Sequence, residues 1–377
     1  MRTRSSKRKR VEVEIEDGEV SKYFKKDEEE VRETPLKDVI DVEMVKKMGP
    51  ETYYDWVQAR TKYEVTYGPL EDQPNFPRNF VPIYQKVRLM RSKIATPVDS
   101  VGCSMIPLSV GKEFGETKET MLPRTYRFQL LIALMLSSQT KDEVNAKAMF
   151  NLMEHCKDVL KNSEGVTLEA MFRIDEETIA QLIYPVSFYT RKALYIKKTI
   201  QILKDQFDGD MPPDITGLCS LPGVGPKMGY LALQMAWGKV DGIGVDVHLD
   251  RLCKMWRWVD PQKAKSPEHT RKLLEEWLPR NLWYEINPIL VGFGQVICLP
   301  RGKRCDLCMA NDVCNAVDRK VVKSAKNRTE LRKSRGNVTK WVEYMEETAH
   351  AKETLEPEGD VKLVLEKDDN PLSKTDS

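Results

Sequence analysis

No stretch of this chain stays apolar for anything near the ~20 residues that a membrane-spanning helix needs, so no membrane partner is expected. Met1–Arg10 lacks an apolar h-region, so no secretory leader is expected either. Strand-like alternation is scarce and no βαβ succession appears, which excludes the doubly wound nucleotide-binding folds. The Gly-x-x-x-x-Gly-Lys-Ser/Thr phosphate loop is missing, and no internal repeat is visible. Charge of one sign is lacking too: 60 Lys and Arg are nearly balanced by 58 Asp and Glu, a net of +2. The chain is not a polycation, so contact with an acidic polymer has to come from a local basic face.

What is present is enough for one large domain or two ordinary ones: 377 residues, 41% of them hydrophobic, with 31% charged residues that point to exposed segments as well. Helical periodicity starts near Phe80 and strengthens after Pro123. The run Phe128–Leu136 is apolar nearly all round and predicts a buried helix. Further helices are predicted over Asp142–Met153, Leu168–Phe172, Asp175–Ile183, Arg191–Phe207, Lys227–Trp237, Val247–Met255, Pro267–Trp277 and Tyr284–Val296. The class is all-α, built of short helices.

The ends read differently. Met1 to about Lys47 is dense in charge and poor in aromatics, which predicts disorder. Within it, Lys7-Arg8-Lys9-Arg10 is a basic cluster of nuclear-import type. A mitochondrial presequence is the second reading, suggested by Arg2 and Arg4 and opposed by Glu12, Glu14, Glu16 and Asp17. Pro69–Pro82 is proline-rich and reads as extended. After Cys314 the chain turns basic through Arg335 and then acidic to its end, as a flexible arm and a solvating tail would.

Leu221-Pro222-Gly223-Val224-Gly225-Pro226-Lys227 lies between two helical patterns. Gly223 and Gly225 permit the backbone of a tight helix-to-helix turn, and their missing side chains let a phosphate approach main-chain N–H groups. The helix that follows points its positive end at the same place. A purely structural αα-corner is the bland alternative. Half a dinucleotide fingerprint is a poorer fit, because no strand precedes it and Gly229 falls one residue late. Lys227 opens the second helix. It is either a phosphate-contacting lysine or a nucleophile, in which case the helix dipole and apolar surroundings would free its amine for attack. Asp246, in Val245-Asp246-Val247-His248, offers a carboxylate and is also placed to cap the helix beginning at Val247.

Of eight cysteines, Cys103, Cys156, Cys219 and Cys253 are scattered and read as buried, inert thiols. The other four follow Cys-x6-Cys-x2-Cys-x5-Cys as Cys298, Cys305, Cys308 and Cys314, which reads as a metal or cluster site in an intracellular protein. Tetrahedral zinc and a four-iron four-sulfur cluster are both open. Zinc typically takes two Cys-x2-Cys pairs and only one exists here, so the spacing favours the cluster. Arg301, Lys303 and Arg304 lie between the first two of these cysteines and predict a basic patch for a phosphate backbone.

On the hairpin and lysine, the Val245–His248 segment, the cysteine series and the softer Leu136–Asp142 segment, the chain resembles the endonuclease III family of DNA glycosylases, in its eukaryotic, fungal branch. The resemblance covers roughly Pro82 to Asn315. It implies a bifunctional DNA N-glycosylase and abasic-site lyase that excises oxidised pyrimidines, with ring-opened purines as a second class. Lys227 would be the nucleophile and Asp246 the electrostatic partner. Gly223 and Gly225 would grip the DNA backbone, Gln139 would fill the vacated base stack, and Phe188 would be an apolar wedge, for which ordinary core packing is the alternative. The four cysteines would hold a four-iron four-sulfur cluster. The architecture implied is two helical lobes with a DNA-binding cleft between them. Residues 120–239 form a six-helix barrel with the helix–hairpin–helix, and residues 80–119 with 240–315 form the cluster lobe. Residues 1–79 are a disordered or extended N-terminal extension, and 316–377 a basic then acidic flexible tail. The partner is double-stranded DNA carrying damaged bases or abasic sites, the enzyme is a monomer, and the compartment is the nucleus, with the mitochondrion second. Pro226 before the lysine and Val247 after the aspartate depart from the bacterial pattern. A non-catalytic DNA-binding module with a metal site is the rival from another class. An adenine-removing relative would lack the lysine, and an 8-oxoguanine-specific one the cysteine quartet.

Overall fold

Every regular element among the described residues is helical. The structure, a computed structural model, describes residues 41–61, 70–323 and 338–353. The Lys7–Arg10 cluster and the acidic end lie outside them, as does the basic stretch after Lys323. In chain order the helices are α1 (Val42–Lys46), α2 (Pro50–Thr61), α3 (Phe80–Lys93), α4 (Pro97–Val101), α5 (Ile106–Glu113), α6 (Pro123–Ser137), α7 (Asp142–Glu154) and α8 (Leu168–Arg173). There follow α9 (Glu176–Ile183), α10 (Tyr189–Gln206), α11 (Ile215–Ser220), α12 (Pro226–Ala232), α13 (Val247–Trp256), α14 (Pro267–Glu275), α15 (Trp283–Val296), α16 (Arg319–Lys323) and α17 (Thr339–Glu353).

Two apolar cores organise them. The first is centred on α6, which buries every residue from Thr125 to Leu136. It draws in α5, α7 to α12 and the face of α2. The second gathers α3, α13, α14, α15 and the cysteine segment. Its centre is aromatic, with Phe80 packed edge-on against Trp258 and Trp277 at ring-centroid separations of 4.8 and 4.9 Å.

Four features depart from the sequence reading. Residues 41–61 are not an extended tail. Tyr53 and Val57, four apart on one face of α2, are each 1% exposed in the first core, and the Tyr53 hydroxyl donates to the Ala236 carbonyl at 2.9 Å. At the other end, α17 is not a loose tail. Val338, Trp341 and Val342 are buried in the second core, and Trp341 Nε1 donates to the Leu307 carbonyl at 2.8 Å. The helix over Lys227–Trp237 is divided, because α12 widens into a π-turn at Leu233–Trp237. The carbonyls there are taken from outside: Ala236 by Tyr53, and Gln234 and Gly238 by Arg60 at 3.5 and 3.3 Å. Residues 106–113 of α5 also join the first core rather than the lobe assigned to 80–119.

Candidate active site

A cleft of about 750 Å³ opens where the two cores meet, and Lys227, Asp246, His248, Asp142 and Gln139 all line it. The hairpin delivers the lysine. α11 ends at Ser220, the chain reverses through Leu221–Gly225, and Pro226 starts α12 at its first position, where the missing N–H is no loss. Leu221 and Val224 are buried and pin the turn. Gly223 has φ 80°, and a Cβ there would meet the Tyr195 ring at 2.6 Å, so both backbone and space demand glycine. Gly225 has open space around its Cβ position. Among the described residues, the N–H groups of Gly223 and Gly225 meet no main-chain acceptor outside the helices, while Val224 N–H bonds back to the Leu221 carbonyl at 3.1 Å. Lys227, two residues beyond Gly225, is half-buried.

The segment before α13 brings the carboxylate to the same place. Gly242 lies against the Tyr230 ring, and Gly244 against Leu231 and the Lys227 carbonyl, with no room for a Cβ at either. The Ile243 N–H donates to Glu275 Oε1 at 2.8 Å, and the buried Asn287 amide donates to the Gly244 carbonyl. With its approach fixed by these contacts, Asp246 caps α13, accepting from Leu249 N–H at 2.7 Å. Its second oxygen has no partner among the hydrogen bonds of the described residues, and the residue stays half-open to the cleft.

Three other titratable groups of the cleft are shifted by their surroundings. Burial pushes the Asp142 carboxyl up, against the stabilising hydrogen bond from Gln295 Nε2 at 3.1 Å, and both Lys227 and Asp246 act on it. Burial holds His248 below the usual imidazole range, with Asp246 pulling the other way and Arg251 and Lys227 reinforcing the depression. Burial also raises the Cys103 thiol, opposed by the charge of Lys227. Lys227 and Asp246 are thus both within electrostatic reach of Asp142 and of His248. Sequence reasoning passed over Asn287 and Gln295. Neither sits in a recognisable motif, and each matters through a partner far away in the chain.

Gln139 and Phe188 come together at the rim. Both are exposed and both are non-glycine residues at positive φ, 53° and 57°. Such conformations cost on the order of 1–3 kcal/mol each and persist where the surroundings fix them. Phe188 is 55% exposed, which excludes the core-packing alternative. Ser187 Oγ donates to the Gln139 carbonyl at 2.6 Å, tying the two turns together.

The four cysteines Cys298, Cys305, Cys308 and Cys314 line one largely apolar cavity with Trp256, Phe293 and Ile297. Main-chain N–H groups of Ala316 and Asp318 point at the Cys314 and Cys305 sulfurs, each at 3.4 Å. Burial pushes the Cys308 thiol far up and raises Cys298, the latter opposed by Arg251 and Lys303. Among the described residues no three His, Cys, Asp or Glu side chains converge as a single metal ion would require. The three basic residues of this loop have different surroundings. Arg301 is exposed, Lys303 Nζ donates to the Ala316 carbonyl at 3.3 Å, and Arg304 is paired with Asp306 at 3.0 Å.

A family model described as HhH-GPD superfamily base excision DNA repair protein matches residues 132–280. Endonuclease III homolog 2 of Saccharomyces cerevisiae is 53% identical over 343 residues, spanning 86% of this chain and 90% of that protein. Endonuclease III homolog 1 of the same yeast is 42% identical over 351 residues, with 90% and 88% covered. The mouse endonuclease III-like protein 1 is 43% identical over 240 residues, with 64% and 73% covered. Among solved structures, a trapped endonuclease III–DNA covalent intermediate aligns with a TM-score of 0.46 at 27% identity, covering 55% of this chain and 92% of that one. The two yeast relatives, with the family model, define a helix–hairpin–helix protein of base excision DNA repair. Within that class the chain belongs to the endonuclease III family and is a DNA glycosylase and lyase.

Proposed function

We propose that Lys227 is the nucleophile of this enzyme, that Asp246 is its electrostatic partner, and that its substrate is an oxidised pyrimidine extruded from duplex DNA. The observation that carries this is the convergence of the two residues on one cleft. The lysine is carried there by a glycine hairpin, and the carboxylate by a segment that Gly242, Gly244 and Asn287 hold against α12. A base inside a duplex is out of reach of such a cleft, so the nucleotide must be flipped out. The uncharged amine then attacks C1′ of the deoxyribose. A C–N bond to the enzyme forms, the glycosidic bond breaks, and the base leaves with its electron pair. As the bond breaks, positive charge grows on the sugar, and the Asp246 carboxylate is the group in place to stabilise it. Loss of the ring oxygen's bond to C1′ gives the iminium. Departure of a C2′ proton then expels the 3′ phosphate, and the strand is cut by β-elimination.

The remaining groups handle the DNA. The Gly223 and Gly225 amides, at the start of α12, suit a backbone phosphate and carry no sequence preference. Gln139 would occupy the emptied stack, and Phe188 would wedge the neighbouring step. Four sulfurs lining one largely apolar cavity, on a spacing with a single Cys-x2-Cys pair, support a four-iron four-sulfur group held by Cys298, Cys305, Cys308 and Cys314. Its contribution would be structural, cross-linking the loop that carries Arg301. Lys7–Arg10 supports import into the nucleus.

Borohydride trapping on a duplex containing an oxidised pyrimidine tests the reading. Wild-type protein is expected to give a covalent adduct, and Lys227→Gln none. A Lys227→Gln protein that traps as the wild type does would remove the lysine from the mechanism.

A further inference from the structure

We propose that Lys192 is a positioning residue that locks the Gln139 turn and the Phe188 turn into one rigid wedge for the duplex. The proposal rests on the reading of those two side chains given above. Lys192 lies on α10, more than 50 residues from Gln139 in sequence, and only 6% of it is exposed. Its ammonium donates to the Leu136 carbonyl at 2.7 Å, to the Ser138 carbonyl at 2.8 Å and to Thr140 Oγ1 at 3.2 Å. These acceptors are the end of α6 and the turn on either side of Gln139. The carbonyls at a helix end have no partner within the helix, and a cation there also meets the negative end of the dipole.

The same residue holds the second turn through its main chain, where Lys192 N–H donates to the Phe188 carbonyl at 3.0 Å. Ser187 closes the arrangement. Its N–H donates to Thr140 Oγ1 at 3.3 Å and its hydroxyl to the Gln139 carbonyl. One lysine therefore reaches both turns, and one serine stitches them to each other.

Lys192 forms no ion pair among the described residues. A buried cation held by carbonyls and a hydroxyl is an expensive arrangement, and burial pulls its ammonium down to about 8, opposed by the Cys103 thiol. What it secures is unusual in return. Gln139 and Phe188 both stand in the left-handed region that L side chains avoid, an aromatic one above all. If either turn relaxed to a negative φ, its side chain would swing away from the other. A wedge already ordered in the free protein spares the cost of ordering two loops while a base stack is being opened.

Full-length Lys192→Met, which keeps an unbranched side chain one atom shorter and removes the charge, tests the proposal in three measurements. The first is the fluorescence rise of 2-aminopurine placed opposite a lesion, which reports unstacking. The second is excision from that duplex. The third is borohydride trapping on a single-stranded abasic oligonucleotide, where no stack has to be opened. Loss of charge-assisted hydrogen bonds is expected to lower duplex excision and the 2-aminopurine response by about tenfold or more. Trapping on the single strand should stay within about twofold. Ser187→Ala, at the half-buried rim, should reproduce the duplex-specific loss in smaller measure, and it decides the matter if Lys192→Met fails to fold. A folded Lys192→Met or Ser187→Ala protein with unaltered unstacking and duplex excision overturns the proposal. Absence of single-strand trapping by the wild type would instead sink the nucleophile reading, with the 2-aminopurine comparison still judging the wedge.

Discussion

Asp246 does two things with one carboxylate. One oxygen accepts the Leu249 N–H and starts α13, while the group as a whole faces the cleft that holds Lys227. The two roles separate by substitution, because asparagine caps a helix about as well as aspartate but carries no charge. Asp246→Asn is expected to unfold in urea within about 0.5 kcal/mol of wild type, yet to lose on the order of a hundredfold or more in the single-turnover rate of base excision. Asp246→Ala should lose a comparable rate and in addition about 1 kcal/mol of stability. Equal excision rates for Asp246→Asn and wild type would leave the residue a cap and nothing more. At this scale the motif residues were legible in the sequence, since hairpin, lysine and aspartate lie within 26 positions of one another. Lys192 was not. Its meaning depends on carbonyls of a helix end that only tertiary packing brings to it.

The helix–hairpin–helix element shows how glycines with different jobs read alike in a sequence. Gly223 is fixed by the protein itself, through its positive φ and the Tyr195 ring behind it. Gly225 has an ordinary φ of −105° and nothing within 4 Å of a Cβ, so the fold does not require it to be bare. Gly223→Ala should therefore lower the unfolding free energy by roughly 1–3 kcal/mol. Gly225→Ala should leave thermal stability within about 0.5 kcal/mol of wild type and weaken duplex binding several-fold, because the space it fills is the phosphate's. Binding by Gly225→Ala at wild-type strength, measured by anisotropy, would show that the open space faces no DNA. The same scale explains the misread ends. The face of α2 was visible as Tyr53, Trp56 and Val57, and that of α17 as Val338, Trp341 and Val342, each at helical spacing. Surrounding charge made both segments look like tails, and what they dock against is assembled only in the folded chain.

Over the whole molecule, charge is nearly balanced, so affinity for DNA depends on where the solvent-facing cations stand rather than on net charge. Sequence alone grouped Arg301, Lys303 and Arg304 as one patch because they are neighbours. The folded loop separates them: Arg301 projects into solvent, Lys303 turns back to the Ala316 carbonyl, and Arg304 is neutralised by Asp306, of which only 9% is exposed. Each phosphate contact contributes about 0.9 to the slope of log K against log salt, through released counterions. Arg301→Ala is therefore expected to flatten the slope by about one contact between about 50 and 200 mM salt. Arg304→Ala should leave the slope unchanged, since its charge is already spent on Asp306, and should instead loosen the loop between Cys298 and Cys305. Losing Arg304 strands a buried carboxylate, so its signature is a lower melting temperature at unaltered salt dependence. Titrations of both variants on one undamaged duplex decide between a patch and a single contact. Equal flattening by the two would mean that Asp306 releases Arg304 when DNA binds, and that the three residues act together after all.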